Sequence, residues 1–233
     1  MLKPLYIVPA RGGSRGIHRK NVRPLCGRPL IAYTLDAARE AAARLGGYIL
    51  VSTDDAEIAD AARAEGVPVD YMRPAALGGD TVGSREVMLD AMDWADCKGI
   101  AYDCVVLLQP TSPMRTASDI LDAAALYEAA PEADMVVSVC ESDANPYYNL
   151  FEKAPDGTLH VCKGDGLLTR RQDAPRVWQY NGAVYVIRPA SLRAMSLGAF
   201  PRRVPSVMPA SRSIDLDTPA DWLRAEALMQ ADK

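Results

Sequence analysis

The chain has 233 residues, enough for one large α/β domain or one domain with a modest insertion, and is 49% hydrophobic and 24% charged. Its 26 basic and 30 acidic side chains give a formal charge of -4, which disfavours a general nucleic-acid surface and makes any positive site local. No uninterrupted apolar run approaches a membrane span, and Pro4 and Pro9 bracket too few apolar residues for a signal-peptide core, so a cytoplasmic protein is expected.

In chain order, LYIV reads as a strand and is followed by a basic, glycine-rich loop, PARGGSRGIHRKN (9–21). RPLIAYTLDAAREAAARLG is helical, with Pro29 suited to its first turn and Gly46-Gly47 to its stop. YILVST is a second strand, and DDAEIADAARAEG a second helix with Asp54 or Asp55 as its cap. VPVDYM is short and extended, SREVMLDAMDWAD is helical, and YDCVVLLQP is a strand apolar enough for burial on both faces of a parallel sheet. ASDILDAAALYEAA and DMVVSVC repeat the alternation. Strands alternating with helices predict βαβ units and a mainly parallel sheet, whose ligands bind in the loops beyond the carboxyl ends of the strands.

The rhythm breaks between about Glu141 and Tyr180, where NPYYNLFEKAPDGTLHVCKGDG predicts a hairpin turning at PDG, followed by a polar stretch. GAVYVI, a short helix from Pro189 and RRVPSVMP then resume the pattern, and Thr218-Pro219 opens a final helix. The expectation is one domain over 1–233 with an inserted excursion at about 141–180. The five cysteines form no CxxC pair and read as reduced thiols, so zinc is not expected.

Four motifs carry chemistry. The loop after the first strand matches neither GxxxxGK[ST] nor GxGxxG, yet a glycine-rich turn there lets backbone N–H groups approach phosphate oxygens while cations neutralise them. Arg11 and Lys20 would touch phosphates, and Asn21 would fix the loop or a sugar hydroxyl. In SIDLDTPADW, Asp215 and Asp217 alternate around Leu216, so both carboxylates share one face and can hold magnesium beside substrate phosphates; the alternative is that Asp217 caps the final helix. In LLQPTSPMR, Gln109 leaves a strand end with a donor and an acceptor for a hydroxylated ligand, while Thr111 and Ser112 could instead cap the next helix. In YMRPAALGGDTVGS, Arg73 could meet a triphosphate or base, and Ser84 could read a base edge or cap its helix. Arg170 and Arg171 are candidate carboxylate clamps. With His18 and His160 the only histidines, no nucleophilic triad stands out, and the chemistry would be electrostatic.

VPARGGSRGIHRKN, LLQPTSPMR, RRQD with NGAVYVI, and SIDLDTPADW, in this order over nearly the whole chain, resemble the acylneuraminate cytidylyltransferases (CMP-sialic acid synthetases). The resemblance implies an α/β, Rossmann-like three-layer nucleotidyltransferase fold with a mainly parallel sheet and an inserted excursion that makes a homodimer contact. It also implies that CTP and a nine-carbon 2-keto sugar acid give the CMP-sugar and pyrophosphate. By position it assigns Ala10, Arg11, Gly12, Gly13, Ser14, Asn21, Arg73 and Ser84 to the nucleotide. Gln109, Arg171 and Tyr185 go to the sugar, with Arg171 facing its carboxylate. Asp215 and Asp217 carry Mg2+ or Mn2+, and Arg11, Lys20 and Asp217 are the catalytic set, Lys20 stabilising charge on the α-phosphate. Two positions depart from the pattern: Arg15 where the bacterial sialate enzymes commonly have lysine, and Tyr148 where a sialate-specific enzyme can carry one. Legionaminic, pseudaminic, deaminated or related nonulosonic acids therefore stay open. So do a CMP-Kdo-type or other sugar nucleotidyltransferase and a non-catalytic nucleotide-binding module, against which RKN, SIDLDT and the intact Lys20, Asp215 and Asp217 weigh.

Overall fold

Six strands form the central sheet, and two of them explain its depth. In β1 (Pro4–Pro9), Tyr6 and Val8 pack on one face while Leu5 and Ile7 pack on the other, so no position is left for a polar residue. β5 (Cys104–Leu107) is likewise buried throughout. Strands covered on both faces require helices on both, which is what the rest of the sequence supplies. The structure is a computed structural model and describes residues 2–14, 16–79 and 81–231; Arg15 lies outside them.

After β1, a two-residue ladder of β2 (Pro24–Leu25) with β3 (Arg28–Pro29) leads into α1 (Leu30–Leu45), followed by β4 (Tyr48–Ser52), α2 (Ala56–Ala64) and α3 (Ser84–Cys97). β5 is followed by α4 (Ala117–Ala129), β6 (Met135–Glu141) and the hairpin β7 (Phe151–Lys153) and β8 (Leu159–Val161). The chain closes with β9 (Trp178–Ile187), α5 (Pro189–Ala194), β10 (Arg203–Val207) and α6 (Pro219–Ala231). The sheet order is β10-β6-β9-β5-β1-β4. β9 runs antiparallel to both neighbours, and the other ladders are parallel. α1, α2 and α4 cover the face of Tyr6 and Val8, and α3 and α5 the opposite face, giving three layers. A third, smaller core joins Ile17, Leu25 and Leu30 to Ile214, Leu216 and Trp222, and so fastens the loop after β1 to the segment before α6.

The helix ends show which polar residues the fold consumes. Gly46, at φ 74°, stops α1, and Asp55 rather than Asp54 caps α2 by accepting from the Ile58 N–H at 3.1 Å. α4 is capped by a reciprocal Thr116–Asp119 pair, so Thr111 and Ser112 are not its caps. Thr218 and Asp221 make the same reciprocal pair at the start of α6. Asp217 is therefore not the cap of the final helix, and its carboxylate is left for other work. Gly83 holds the cap position of α3, which makes Ser84 its first helical residue rather than its cap.

VPVDYM is extended as expected, with Val67, Val69, Tyr71 and Arg73 buried alternately, but it joins no ladder. The excursion leaves β6 at Glu141 and returns at Trp178, its ladder partner. Its hairpin pairs Phe151 with Val161 and Lys153 with Leu159, around the PDG turn.

Candidate active site

A cavity of about 330 Å3 opens at the carboxyl ends of β1 and β5. Of the residues singled out in the sequence, Arg11, Ser14, Lys20, Asn21, Arg73, Ser84, Gln109, Thr111 and Asp217 line it, and Asp215 does not. Pro9, Leu77, Val82, Val87 and Pro110 add apolar wall, the kind of surface that accepts a planar base.

The loop after β1 is braced from below. Ala10 is buried and donates its N–H to Ser52 O at 2.9 Å, so it holds the loop root rather than lining the cavity. The buried Asn21 donates to Arg11 O at 3.0 Å, which is the loop-fixing option for this side chain. Gly12 donates its N–H to Asp54 Oδ1 at 3.0 Å. A side chain there would meet Asp55 Oδ2 at 2.5 Å, and one at Gly16 would meet Asp217 O at 2.0 Å. These glycines allow the loop to lie against α2 and against the carboxylate segment. Gly13 stands in open space and does not line the cavity. Arg19 turns away from the cavity, at φ 52°, to bind Asp55 and Glu57; those carboxylates hold its guanidinium above the ordinary arginine value.

Lys20 crosses from the loop to the other wall. Its Nζ donates to Leu216 O at 2.6 Å and lies 3.5 Å from Asp217 Oδ1. Leu216 donates its own N–H to Thr111 O at 2.9 Å, so the carboxylate segment is tied to both neighbouring loops. Ile214 and Leu216 are buried, and the alternation turns Asp215 and Asp217 to the opposite face, as their spacing predicts. Asp217 is well exposed, with 73% of its side chain accessible. Asp215 is not: its Oδ1 is buried without a hydrogen-bond partner among the described residues. Burial pushes its carboxyl above the usual range, the Asp217 charge adds to this, and Thr111 and Lys20 pull the other way.

Arg73 is 5% exposed and is held by Ser52, through Nε to Oγ at 3.0 Å and Nη2 to the carbonyl at 2.6 Å. Burial lowers its pKa from the ordinary arginine value, with Asp54 opposing. Tyr185 lies on β9 outside the cavity lining, its hydroxyl pushed up to about 12 by burial and by the nearby Asp215 charge. Arg171 is not at the cavity. It is 55% exposed on the excursion and paired with Asp143, while Arg170 pairs with Asp173 at 2.8 Å.

Two polar residues near the site lie inside quoted motifs but were not singled out. Asn181 is buried, accepts from Ser138 Oγ at 2.6 Å, and donates to Ser213 Oγ at 2.9 Å, linking β6 to the segment that leads to Asp215. Arg115 is buried beneath the Gln109 loop. Their residue types and spacing carried no signal, because polar side chains in LLQPTSPMR and NGAVY read equally well as solvated.

A basic cavity over the carboxyl ends of parallel strands, with the Asp217 carboxylate beside Lys20 in its wall, fits a nucleotidyltransferase-type α/β protein. The chain belongs to the cytidylyltransferase family, whose model matches residues 5–182. It is thus a CTP-using transferase. It is similar to a CMP-N,N'-diacetyllegionaminic acid synthase of Legionella pneumophila, 30% identical over 233 residues and covering 100% of this chain and 98% of the relative. An N-acylneuraminate cytidylyltransferase of Streptococcus agalactiae serotype III is 33% identical over 226 residues, covering 95% of this chain and 52% of the relative. Among solved structures, a CMP:2-keto-3-deoxy-manno-octonic acid synthetase complexed with CTP shares the fold, with a TM-score of 0.71 at 19% identity over 99% of this chain and 100% of that one.

Proposed function

We propose that the protein activates a nonulosonic acid with CTP. The oxygen of the anomeric hydroxyl at C2 of a nine-carbon 2-keto sugar acid bonds to the α-phosphorus of CTP. The hydroxyl O–H bond and the bond from that phosphorus to the bridging oxygen break, the proton passes to solvent, and pyrophosphate leaves. The observation that carries the substrate class is the end-to-end similarity to a synthase named for a CMP-activated nonulosonic acid. The cavity geometry is consistent with it.

In this reading the triphosphate lies along the loop after β1, where Arg11, Ser14 and Lys20 line the cavity. Gly12 and Gly13 supply the backbone that the phosphates approach, on a root that Ala10 fixes to Ser52 O, and the nucleotide displaces Asp54 from the Gly12 N–H. Asn21 keeps Arg11 in place, while Arg73 and Ser84 bind nucleoside polar groups beside the Leu77–Val82–Val87 wall. Lys20 stabilises the charge that grows on the α-phosphate, a term typically worth about 10²–10³ in rate. Gln109 and Tyr185 face the sugar, and Arg171 reaches its carboxylate after leaving Asp143.

The carboxylate pair fits a hard divalent cation. Asp215 offers an oxygen that is buried and unpartnered among the described residues, Asp217 is free of capping duty, and such ions bind through one or two carboxylates plus substrate phosphates. Asp215 and Asp217 would hold Mg2+ or Mn2+, which when bound supplies neutralisation of phosphate charge. The protein's part is to keep the two carboxylates on one face, tied through Leu216 to Lys20 and Thr111.

The excursion makes a homodimer. Its Leu150, Phe151, Leu159, Leu167 and Trp178 are all exposed, a larger apolar surface than a two-stranded hairpin covers by itself. Its placement in the cytoplasm is supported by the five unpaired cysteines. Among the described residues, no helix is long and apolar enough to cross a membrane.

The test is pyrophosphate release from CTP with a panel of sugar acids, with N,N'-diacetyllegionaminic acid placed first because the end-to-end relative is named for it. Turnover of a nine-carbon acid is expected. Turnover of eight-carbon acids alone would replace this reading, and tight CTP binding with no turnover of any acid would make the chain a binding module. Sedimentation as a monomer at micromolar concentration would remove the dimer.

A further inference from the structure

Arg115 is a cation in the wrong place for a salt bridge. It is 3% exposed, and its guanidinium binds no carboxylate among the described residues: Nη1 donates to Gln109 O at 3.1 Å and Ala183 O at 2.8 Å, and Nη2 to Thr34 Oγ1 at 2.5 Å. Its Nε is buried with no partner among the described residues. The nearest acid in sequence, Asp119, is committed to Arg212 at 2.6 Å and to the cap of α4. Burial accordingly pulls the guanidinium below the ordinary arginine value, with Asp119 opposing weakly.

A buried charge in such surroundings costs several kcal/mol, and replacing buried ions by apolar residues of similar volume is often neutral or stabilising. Stability therefore does not explain an arginine here. Its contacts offer another account. The three acceptors come from the loop after β5, from β9 and from α1. The loop is further closed by Ser112 N–H to Gln109 O at 3.3 Å and by Arg115 N–H to Ser112 O at 3.4 Å, and its Thr111 carbonyl receives the Leu216 N–H. Gln109, Pro110 and Thr111 line the cavity on one side of this turn, and Arg115 grips it from the other.

We infer that Arg115 is a positioning residue: its guanidinium fixes the Gln109–Thr111 turn against β9 and α1, and so sets where Gln109 and the Asp215–Asp217 segment stand in the cavity. Which substrate depends on this turn rests on the reading that Gln109 faces the sugar acid. A planar fork with five donors can serve three elements at once, whereas lysine, a point charge with a different reach, cannot reproduce the fork. Displacement of a positioned group by about 1 Å can cost about 10²-fold in rate, so a loosened turn should show in kinetics even where folding is intact.

The experiment compares Arg115→Lys, Arg115→Met and Thr34→Val with the unaltered protein. Thr34→Val removes one acceptor of the guanidinium from inside α1, away from the cavity, and keeps the test open if Arg115→Met does not fold. Three readouts are taken: amide hydrogen exchange at Ser112 and Leu216, CTP affinity by calorimetry, and steady-state kinetics with CTP and N,N'-diacetyllegionaminic acid. Positioning predicts faster exchange at both amides, a rise in KM for the acid of about tenfold or more in Arg115→Met, partial rescue in Arg115→Lys, and a smaller effect of the same sign in Thr34→Val. CTP affinity falls less than affinity for the acid, because Arg115 bonds to Gln109 directly and reaches the loop after β1 only through Thr111 and Leu216. Exchange and kinetic constants unchanged in any folded Arg115 variant, with only the melting temperature moved, would overturn the inference. Faster exchange with the loss in CTP affinity instead would leave the positioning role standing and overturn the assignment of Gln109 to the sugar acid.

Discussion

Replacing Asp215 by Asn should make the empty protein more stable and the loaded protein less so. Asp215 holds a carboxylate whose Oδ1 is buried without a partner among the described residues, with Asp217 raising its electrostatic cost further. An unsatisfied buried polar group costs about 1–3 kcal/mol, and more when charged. Asn keeps the shape and removes the charge, so recovering about 1–2 kcal/mol is in line with relief of strained functional sites. For a chain of this size that is a rise of about 2–8 °C in Tm, read by thermal denaturation in a chelator. Saturation with ligand at about a hundredfold over Kd adds about 2.7 kcal/mol to a protein that binds it. The unaltered protein should show that gain with magnesium and CTP, while Asp215→Asn should show little of it and lose turnover, so the order of the two melting curves reverses on loading. If Asn lowered the Tm of the empty protein, Asp215 would be a structural carboxylate. If the variant kept the full magnesium-dependent gain, it would not be a metal ligand.

Lys20→Ala should lower kcat by about 10²–10³ with CTP binding still measurable, because the charge it meets grows only in the transition state; near-normal kcat would reduce it to a brace of Leu216. Arg212→Met tests the Arg212–Asp119 pair through pH. Burial would raise the Asp119 carboxyl, but Arg212 and Thr116 hold it below its ordinary value, so its contribution is full above the unfolded value of about 3.9 and lost as pH falls through the folded one. Arg212 is partly exposed, so a loss of about 1–2 kcal/mol is expected at pH 7, with the Tm gap to the unaltered protein narrowing as pH falls below the unfolded carboxylate value; a gap independent of pH would mean lost packing rather than lost charge. Gly16→Ala should lower Tm by several degrees and weaken CTP binding, since its Cβ would meet Asp217 O at 2.0 Å, whereas Gly13→Ala, in open space, should leave Tm within about a degree. Equal effects at the two glycines would refute the close-approach account.

The alternation of strands and helices was legible because two-sided burial leaves a strand no polar position, as in β1 and β5. The shared face of Asp215 and Asp217 was legible for the same reason, two-residue periodicity around a buried Leu216. What could not be read was which of several adjacent polar residues the backbone consumes. Asp54 and Asp55 are equivalent as letters, yet one caps α2 and the other holds Gly12. Asp217 and Thr218 both precede a helix, and only the reciprocal bonds with Asp221 show that Thr218 is the cap. Arg11, Arg19 and Lys20 are all cations of one loop, and long-range partners alone send Arg19 out to α2 and Lys20 across to Leu216. Arg115 was hidden for the opposite reason, since a buried arginine has no sequence signature at all.

These long-range partners also change what the glycine loop is for. Flexibility near phosphates explains open positions such as Gly13, but Gly16 lies so close to Asp217 that its missing side chain is a packing requirement. Lys20 bonds to Leu216 O, Leu216 bonds to Thr111 O, and Ile17 shares a core with Ile214 and Leu216. The loop after β1, the segment that carries the carboxylates and the turn that presents Gln109 are therefore one packed unit. In such a unit the loop cannot shift without carrying Asp217 with it, so Lys20 and Asp217 move together. In the proposed function, Lys20 at the α-phosphate and the carboxylates that would hold a metal beside it then keep a fixed spacing as substrates enter. Electrostatic catalysis without a covalent nucleophile depends on that fixed spacing, because donors already in place need no reorganisation when charge develops.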